Sequence, residues 1–100
     1  MQARQIRQTA TYVKWFNRLR DPQTRARILV RIRRLSLGNP GYVESVGQGV
    51  RELKIHHGPG YRIYFMEQER SLVILLAGGD KRTQKKDIRK AIALARALRK

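Results

Sequence analysis

VRELKIHHGPGYRIYFMEQERSLVILLAGGD, residues 50–80, carries the signals that decide the fold. Three β-type runs, Val50–His56, Tyr61–Glu67 and Ser71–Ala77, are separated by His57-Gly58-Pro59-Gly60 and by Gln68-Glu69-Arg70. Connections this short, rich in turn formers, close hairpins, so the reading predicts an antiparallel meander. Side chains alternate between the two faces of a strand. Leu53 and Ile55 therefore share one face of the first run, with Glu52, Lys54 and His56 on the other. In the second run Ile63 and Phe65 oppose Arg62, Tyr64 and Met66, which predicts one apolar and one functional face. The third run, LVILLA, is apolar throughout, as a central strand buried on both faces should be. Gly78-Gly79-Asp80 is read as the break that ends it.

Working outward, residues 4–8 (RQIRQ) alternate weakly and predict a short edge strand. The period then changes: Tyr12, Trp15, Phe16 and Leu19 fall on one side of a helix that Thr9 or Thr11 caps. Asp21-Pro22 opens a second helix, with Asp at the cap and Pro at the first helical position. Its apolar stripe is Ile28, Leu29, Ile32 and Leu35, and Gly38-Asn39-Pro40-Gly41 ends it. Two helices joined by so short a turn form a hairpin whose apolar sides lie on a sheet. A last helix starts near Thr83 and carries Ile88, Ala91, Ile92 and Ala95 on one side. The order is β-α-α-β-β-β-α: an α+β fold in one domain spanning 1–100, with an antiparallel sheet, an N-terminal helical hairpin and a C-terminal helix. A chain of 100 residues is long enough for one core and too short for two.

Charge narrows the function. Lys and Arg number 23 against 7 Asp and Glu, a net charge of +16. Repulsion of that size opposes compaction, so the excess cation points to a polyanionic partner such as nucleic acid. No apolar run approaches the roughly 20 residues that span a bilayer, and no signal-peptide segment follows the N-terminal Met, so the expected location is the cytoplasm and no membrane partner is expected. With no Cys, disulfides and thiolate zinc sites are excluded. His56 and His57 are the only histidines, and neighbours on a strand point to opposite faces, so no metal and no other cofactor is expected. The charge is also unevenly placed. Residues 1–40 hold 10 Lys/Arg against Asp21, residues 41–80 hold 4 against 5 acids, and residues 81–100 hold 9 against Asp87. The cations thus lie mostly on helices, where they can grip phosphates without reading sequence, or form ordinary solvated faces.

The few cations of the nearly neutral sheet are a separate group. Lys54 and Arg62 belong on one face of neighbouring strands, with His56 and Tyr64 beside them, and Lys81 and Arg82 leave the third strand at the same sheet. Converging cations can stabilise the charge that develops on a phosphate under in-line attack by a ribose 2′-hydroxyl, and an adjacent ring can stack on a base. The same arrangement also suits a non-catalytic binding face. Trp15 reads as core, Tyr61 as packing beside the turn, Asp87 as a helix-dipole residue, and Gly78-Gly79 as serving backbone conformation.

Three segments, Gly49–Ile55, Gly58–Tyr64 and Leu76–Ile88, together with the element order, resemble the RelE/ParE toxin superfamily, and within it the HigB-like, phage-derived addiction-module killer proteins. The resemblance runs over nearly the whole chain from Tyr12; GPGYR and GGDK…Q…DI are its most specific parts. It implies a bacterial type II toxin that cleaves messenger RNA, commonly on the ribosome, and is held inactive by a cognate antitoxin, with operator DNA reached only through that antitoxin. It further implies that Arg62 stabilises the cleaved phosphate, that Lys54 is a proton acceptor or phosphate clamp, and that Lys81 is the basic residue after the last strand. His56 or His57 is a candidate for general acid/base chemistry. The expected catalytic set is thus Lys54, Arg62, Lys81 and His56, and the expected RNA-binding set is Arg51, Tyr64, Arg82, Lys85 and Lys86. Several relatives carry a Tyr or His near the chain end; this chain has neither beyond Tyr64. Two other functions fit the same features: a ParE-like inhibitor of DNA gyrase, and a non-enzymatic RNA-binding or ribosomal protein.

Overall fold

The computed structural model describes residues 3–99, so Met1, Gln2 and Lys100 of the expected 1–100 domain lie outside the described residues. The chain runs β1 (Gln5–Gln8), α1 (Ala10–Arg18), α2 (Pro22–Ser36), β2 (Val43–Gly47), β3 (Val50–Ile55), β4 (Tyr61–Gln68), β5 (Leu72–Asp80), a 3₁₀ turn (Lys81–Thr83) and α3 (Gln84–Leu98). The fold is α+β, and its five strands are ordered β1-β5-β4-β3-β2.

The helix boundaries follow their caps. Thr9 accepts from the Tyr12 amide at 3.1 Å, and its hydroxyl donates to the Leu76 carbonyl at 2.6 Å, which fixes the start of α1 against β5. Asp21 accepts from the amides of Gln23 and Thr24 and from the Thr24 hydroxyl, so α2 begins at Pro22 as the sequence predicts. α1 and α2 lie on one face of the sheet, where Tyr12, Ile28, Leu35, Leu53, Ile63 and Phe65 form a core. α3 covers part of the other, burying Val50, Tyr64, Met66, Leu76, Ala91 and Ala95. Between them β5 is buried on both faces from Val73 to Ala77, as its apolar run requires.

Four expectations are corrected. β2 is a fifth strand, pairing antiparallel with β3. Its register shifts between Ser45 and Gly47, leaving Val46 as an extra residue. Its two valines are therefore an odd number of residues apart, and the bulge hides the alternation that would mark a strand. β1 pairs in parallel with β5, Ile6 opposite Val73, so the sheet is mixed rather than antiparallel; no local pattern encodes a partner so distant in sequence. β5 continues through Gly78-Gly79 to Asp80, pairing Gly79 with Arg62 and Asp80 with Tyr61. The glycines serve close approach and not an unusual backbone: a Cβ on Gly78 would lie 2.2 Å from the Trp15 ring, and one on Gly79 1.9 Å from the Asp87 carboxylate. Finally Leu29, assigned to the apolar stripe of α2, is 53% exposed, because the stripe facing the sheet is Thr24, Ile28, Ile32 and Leu35.

Candidate nucleic-acid site

The β3–β4 hairpin positions the central cations. Gly58 and Gly60 adopt φ of +57° and +79°, conformations that glycine enters without a steric penalty, and they turn the chain around Pro59. The register that follows sets Lys54 directly opposite Arg62, with Gly79 of β5 on the other side of Arg62. Lys54, Arg62 and Gly79 thus form one row across three strands, and the row ends at a position without a side chain. Arg62 is not a freely solvated cation. Its side chain is 11% exposed, Nη1 donates to the Gly60 carbonyl at 2.8 Å, and its Nε is buried without a hydrogen-bond acceptor.

The next row holds the group that organises the first. Glu52 lies opposite Tyr64 and is 1% exposed. Its Oε2 accepts from the Tyr64 hydroxyl and from Gln84 Nε2 of α3, each at 2.9 Å, and lies 3.6 Å from Arg62 Nε. Oε1 lies 3.9 Å from Lys54 Nζ, which is also 3.4 Å from Glu44 Oε2 on β2. Lys54 therefore spans two carboxylates, one buried and one half-exposed, and also lies over the ring of Tyr42, 5.3 Å from its centroid. The Tyr42 hydroxyl donates to Glu44. That bond is the largest cause holding the Glu44 carboxyl below its usual range, with Lys54 next. The phenol of Tyr64 is pushed well above its usual value, first by burial and then by its bond to Glu52.

A shallow hollow of 450 Å³ opens beside this array, lined by His56, His57, the Gly58–Gly60 turn, Arg62 and Lys81. His57 Nε2 lies 3.9 Å from Asp21 Oδ2 at the start of α2. Asp80 accepts from the backbone amide of Arg82 at 2.9 Å and forms an ion pair of the same length with its guanidinium, which holds the Asp80 carboxyl below its usual range. The 3₁₀ turn is thereby fixed with Lys81 at the hollow. Lys81, Lys85, Lys86 and Arg89 are exposed along a second concavity at the start of α3 whose lining contains no apolar side chain. Among the described residues no three His, Cys, Asp or Glu side chains are grouped to hold a metal ion, and no helix is long and apolar enough to cross a membrane.

Of the expected catalytic residues, Lys54 and Arg62 adjoin directly and Lys81 and His56 share the hollow with Arg62. His56, however, falls just past the end of β3 and is exposed, stacked on Tyr42 with ring centroids 6.2 Å apart. Two of the expected RNA-binding residues are misplaced. Tyr64 is fully buried under α3, so its ring is closed to a base. Arg51 projects from the opposite face of β3, ion-paired to Glu67 at 3.0 Å and lying over Phe65. Arg82, Lys85 and Lys86 are exposed, with Arg82 engaged by Asp80. Sequence reasoning missed Glu52 as an anchor and Tyr42 as the exposed ring. Tyr42 is 51% exposed and precedes the strand that the bulge concealed.

A helical hairpin on one face of a central sheet, a single helix on the other, and cations on the middle strands make up a RelE-like α+β protein. The chain belongs to the phage-derived Gp49-like proteins, a RelE/toxin-like family, whose model matches residues 14–100. It is also similar to a Haemophilus influenzae protein described as an "Uncharacterized protein", with 48% identity over 94 residues that cover 94% of this chain and 95% of the relative.

Proposed function

We propose that the protein is the toxin of a bacterial toxin–antitoxin pair and acts as a metal-independent RNA endonuclease on messenger RNA, bound at the ribosome. The observation that carries this reading is the Lys54–Arg62 pair, two cations directly opposite on adjacent strands, with Arg62 opening to a hollow that Lys81 and His56 also line. A phosphodiester in that hollow meets fixed positive charge where its non-bridging oxygens become more negative during attack by the neighbouring 2′-hydroxyl. Charge placed in advance costs no reorganisation at that moment. Arg62 stabilises the phosphorane, Lys54, held as a cation between Glu52 and Glu44, clamps the phosphate, and the proton of the attacking 2′-hydroxyl passes to a neutral imidazole, that of His56 or His57. His56 or His57 protonates the leaving 5′-oxygen, a role suited to imidazole near neutral pH. Tyr42, exposed against His56, takes the base-stacking role expected of Tyr64, and the cations at the start of α3 hold the RNA backbone on either side. A cognate antitoxin keeps this surface closed.

The test is to map RNA 5′ ends after a brief pulse of expression, wild type against Arg62→Ala. We expect discrete cleavage ends with wild type and a loss of at least about 100-fold with the variant, with the far-UV circular dichroism of the purified variant unchanged. Intact transcripts under wild-type expression would overturn the reading. If DNA damage accompanied those intact transcripts, the protein would instead be a gyrase poison; if the cells grew unharmed, a binding protein.

A further inference from the structure

A third concavity, of about 360 Å³, lies between α1 and α3 and shares no lining residue with the hollow beside Arg62. Its floor is the end of β5. β1 follows β5 only as far as Leu75, opposite Gln8, after which Thr9 bonds the carbonyls of Leu75 and Leu76. From Ala77 to Asp80 no strand among the described residues flanks β5 on the side away from β4, so this edge of the sheet lies open to the pocket. The walls stand on consecutive glycines. The Trp15 ring of α1 packs on Gly78 and the Asp87 carboxylate of α3 on Gly79, each so close that a Cβ would collide with it. Neighbouring residues of a strand face opposite ways, so the indole and the carboxylate reach the open edge from the two faces of the sheet. Arg18 of α1 and Lys86 and Lys90 of α3 are exposed around them.

Asp87 is the unusual member of this group. It is 7% exposed, and in a chain of net charge +16 no Lys or Arg among the described residues lies within 4.0 Å of its carboxylate. Its Oδ2 accepts from the Thr83 hydroxyl at 2.5 Å. A position in the first turn of α3 suits the helix dipole, but the dipole asks for no burial. A carboxylate has about four acceptor sites, which leaves capacity for donors brought by a ligand. Three features then select one ligand chemistry. The exposed cations match an anion such as phosphate, the indole matches a flat ring, and the carboxylate matches a pair of N–H donors. Among the nucleobases guanine alone places two donors, N1–H and the 2-amino group, side by side on one edge. Adenine, cytosine and uracil set an acceptor beside each donor, and that acceptor would face the carboxylate. The volume falls at the lower end of the roughly 300–1,000 Å³ of small-ligand pockets, as a single nucleotide requires. We propose that the pocket between α1 and α3 binds a guanine nucleotide, with Asp87 on the donor edge of the base, Trp15 against its ring, and Arg18, Lys86 and Lys90 around its phosphate. A free nucleotide and a guanosine unit of an RNA chain offer this same chemistry. The binding does not rest on the proposed nuclease activity.

The probe is GMP, titrated against AMP, CMP and UMP on the full chain and followed by ¹⁵N–¹H NMR, in which the single tryptophan gives one indole signal. GMP is expected to shift the Trp15 indole and the amides of residues 77–80 and 87, and to bind at least about tenfold tighter than AMP. Asp87→Asn, which offers a donor where the carboxylate accepts, is expected to bring GMP within about threefold of AMP. Lys90→Glu changes an exposed position and should weaken both nucleotides at least about threefold while the preference for guanine stays. Equal binding of GMP and AMP, shifts confined to residues 81–86, affinity indifferent to Lys90→Glu, or a guanine preference kept by a folded Asp87→Asn would overturn the proposal. If Asp87→Asn fails to fold, the wild-type preference for GMP, the residues it shifts and the Lys90→Glu result decide alone. The trinucleotides UpGpU and UpUpU separate the two sources. Binding of UpGpU at least as tight as GMP, at the same residues and without a match from UpUpU, makes the ligand a unit of an RNA chain; GMP binding that UpGpU does not displace makes it a free nucleotide. No readout here involves RNA cleavage, so absence of cleavage would remove the proposed nuclease and leave this site untouched.

Discussion

Neutralising Glu52 should unfold the site from beneath. Glu52→Gln keeps the shape and, with its carbonyl in the position of Oε2, still accepts from Tyr64 and Gln84, so the change isolates the charge. At an effective dielectric of about 20, cations 3.6 and 3.9 Å away each attract a carboxylate by roughly 4 to 5 kcal/mol. Desolvation of a carboxylate that is 1% exposed cancels much of this. What the substitution leaves is Arg62, 11% exposed, with no counter-charge, whereas Lys54 can turn to Glu44. Orphaning one buried partner costs about 3–5 kcal/mol in comparable pairs, and the escape open to Lys54 lowers our expectation to about 2–4 kcal/mol. For a chain of this size each kcal/mol lowers Tm by about 4–8 °C. Urea unfolding at neutral pH measures it, with an unchanged denaturant slope as the sign that only stability moved. Glu52→Gln combined with Arg62→Met should be more stable than the two single losses predict, with a coupling of at least about 1 kcal/mol. A Glu52→Gln loss below about 0.5 kcal/mol, or strict additivity, would refute the idea that Glu52 anchors Arg62.

Three further outcomes are expected. Gly79→Ala drives a Cβ to 1.9 Å from Asp87, and Gly78→Ala one to 2.2 Å from Trp15; each should cost about 1–3 kcal/mol by overpacking, read as a lower Tm, with Trp15 fluorescence shifting for Gly78→Ala, and a neutral result at both would show that the helices yield freely. Tyr42→Ala should raise the KM for RNA about tenfold, since stacking is worth about 1–3 kcal/mol per base, whereas Tyr42→Phe should not; equal behaviour of the two variants would remove the stacking role. Asp80 titrates below its usual range when folded because Arg82 hydrogen-bonds it. Its contribution is therefore complete above the ordinary value of about 3.9 and is lost as pH falls through the lower folded value. The stability gap between wild type and Asp80→Asn should shrink as pH falls from about 5 to 2 in acid-unfolding measurements, and a gap that stays constant would contradict the pairing.

The legible parts of this molecule are those whose causes are local. Thr9 and Asp21-Pro22 announce α1 and α2 because a cap acts within three residues. The alternation of Leu53 and Ile55 with Lys54 fixes the faces of β3, and the short turns fix the Lys54–Arg62 pairing. What local pattern could not carry was the roof. Alternation puts Tyr64 and Arg62 on one face and says nothing of which is covered, and α3 covers Tyr64 while sparing the mouth of the hollow. Gly78 and Gly79 look like a break for the same reason: the Trp15 ring and the Asp87 carboxylate that exclude a Cβ come from helices elsewhere in the chain. Glu52 shows the consequence for function. In sequence it is one acid in a nearly neutral sheet, but its burial between Tyr64 and Gln84 holds two cations at fixed distances. A free Lys or Arg on a sheet surface binds phosphate with a side chain that must first be ordered. Here that ordering is completed in folding, on the buried Glu52 carboxylate, so in the proposed reaction the charge offered to the phosphate is set by a residue that Arg62→Ala alone would never reveal.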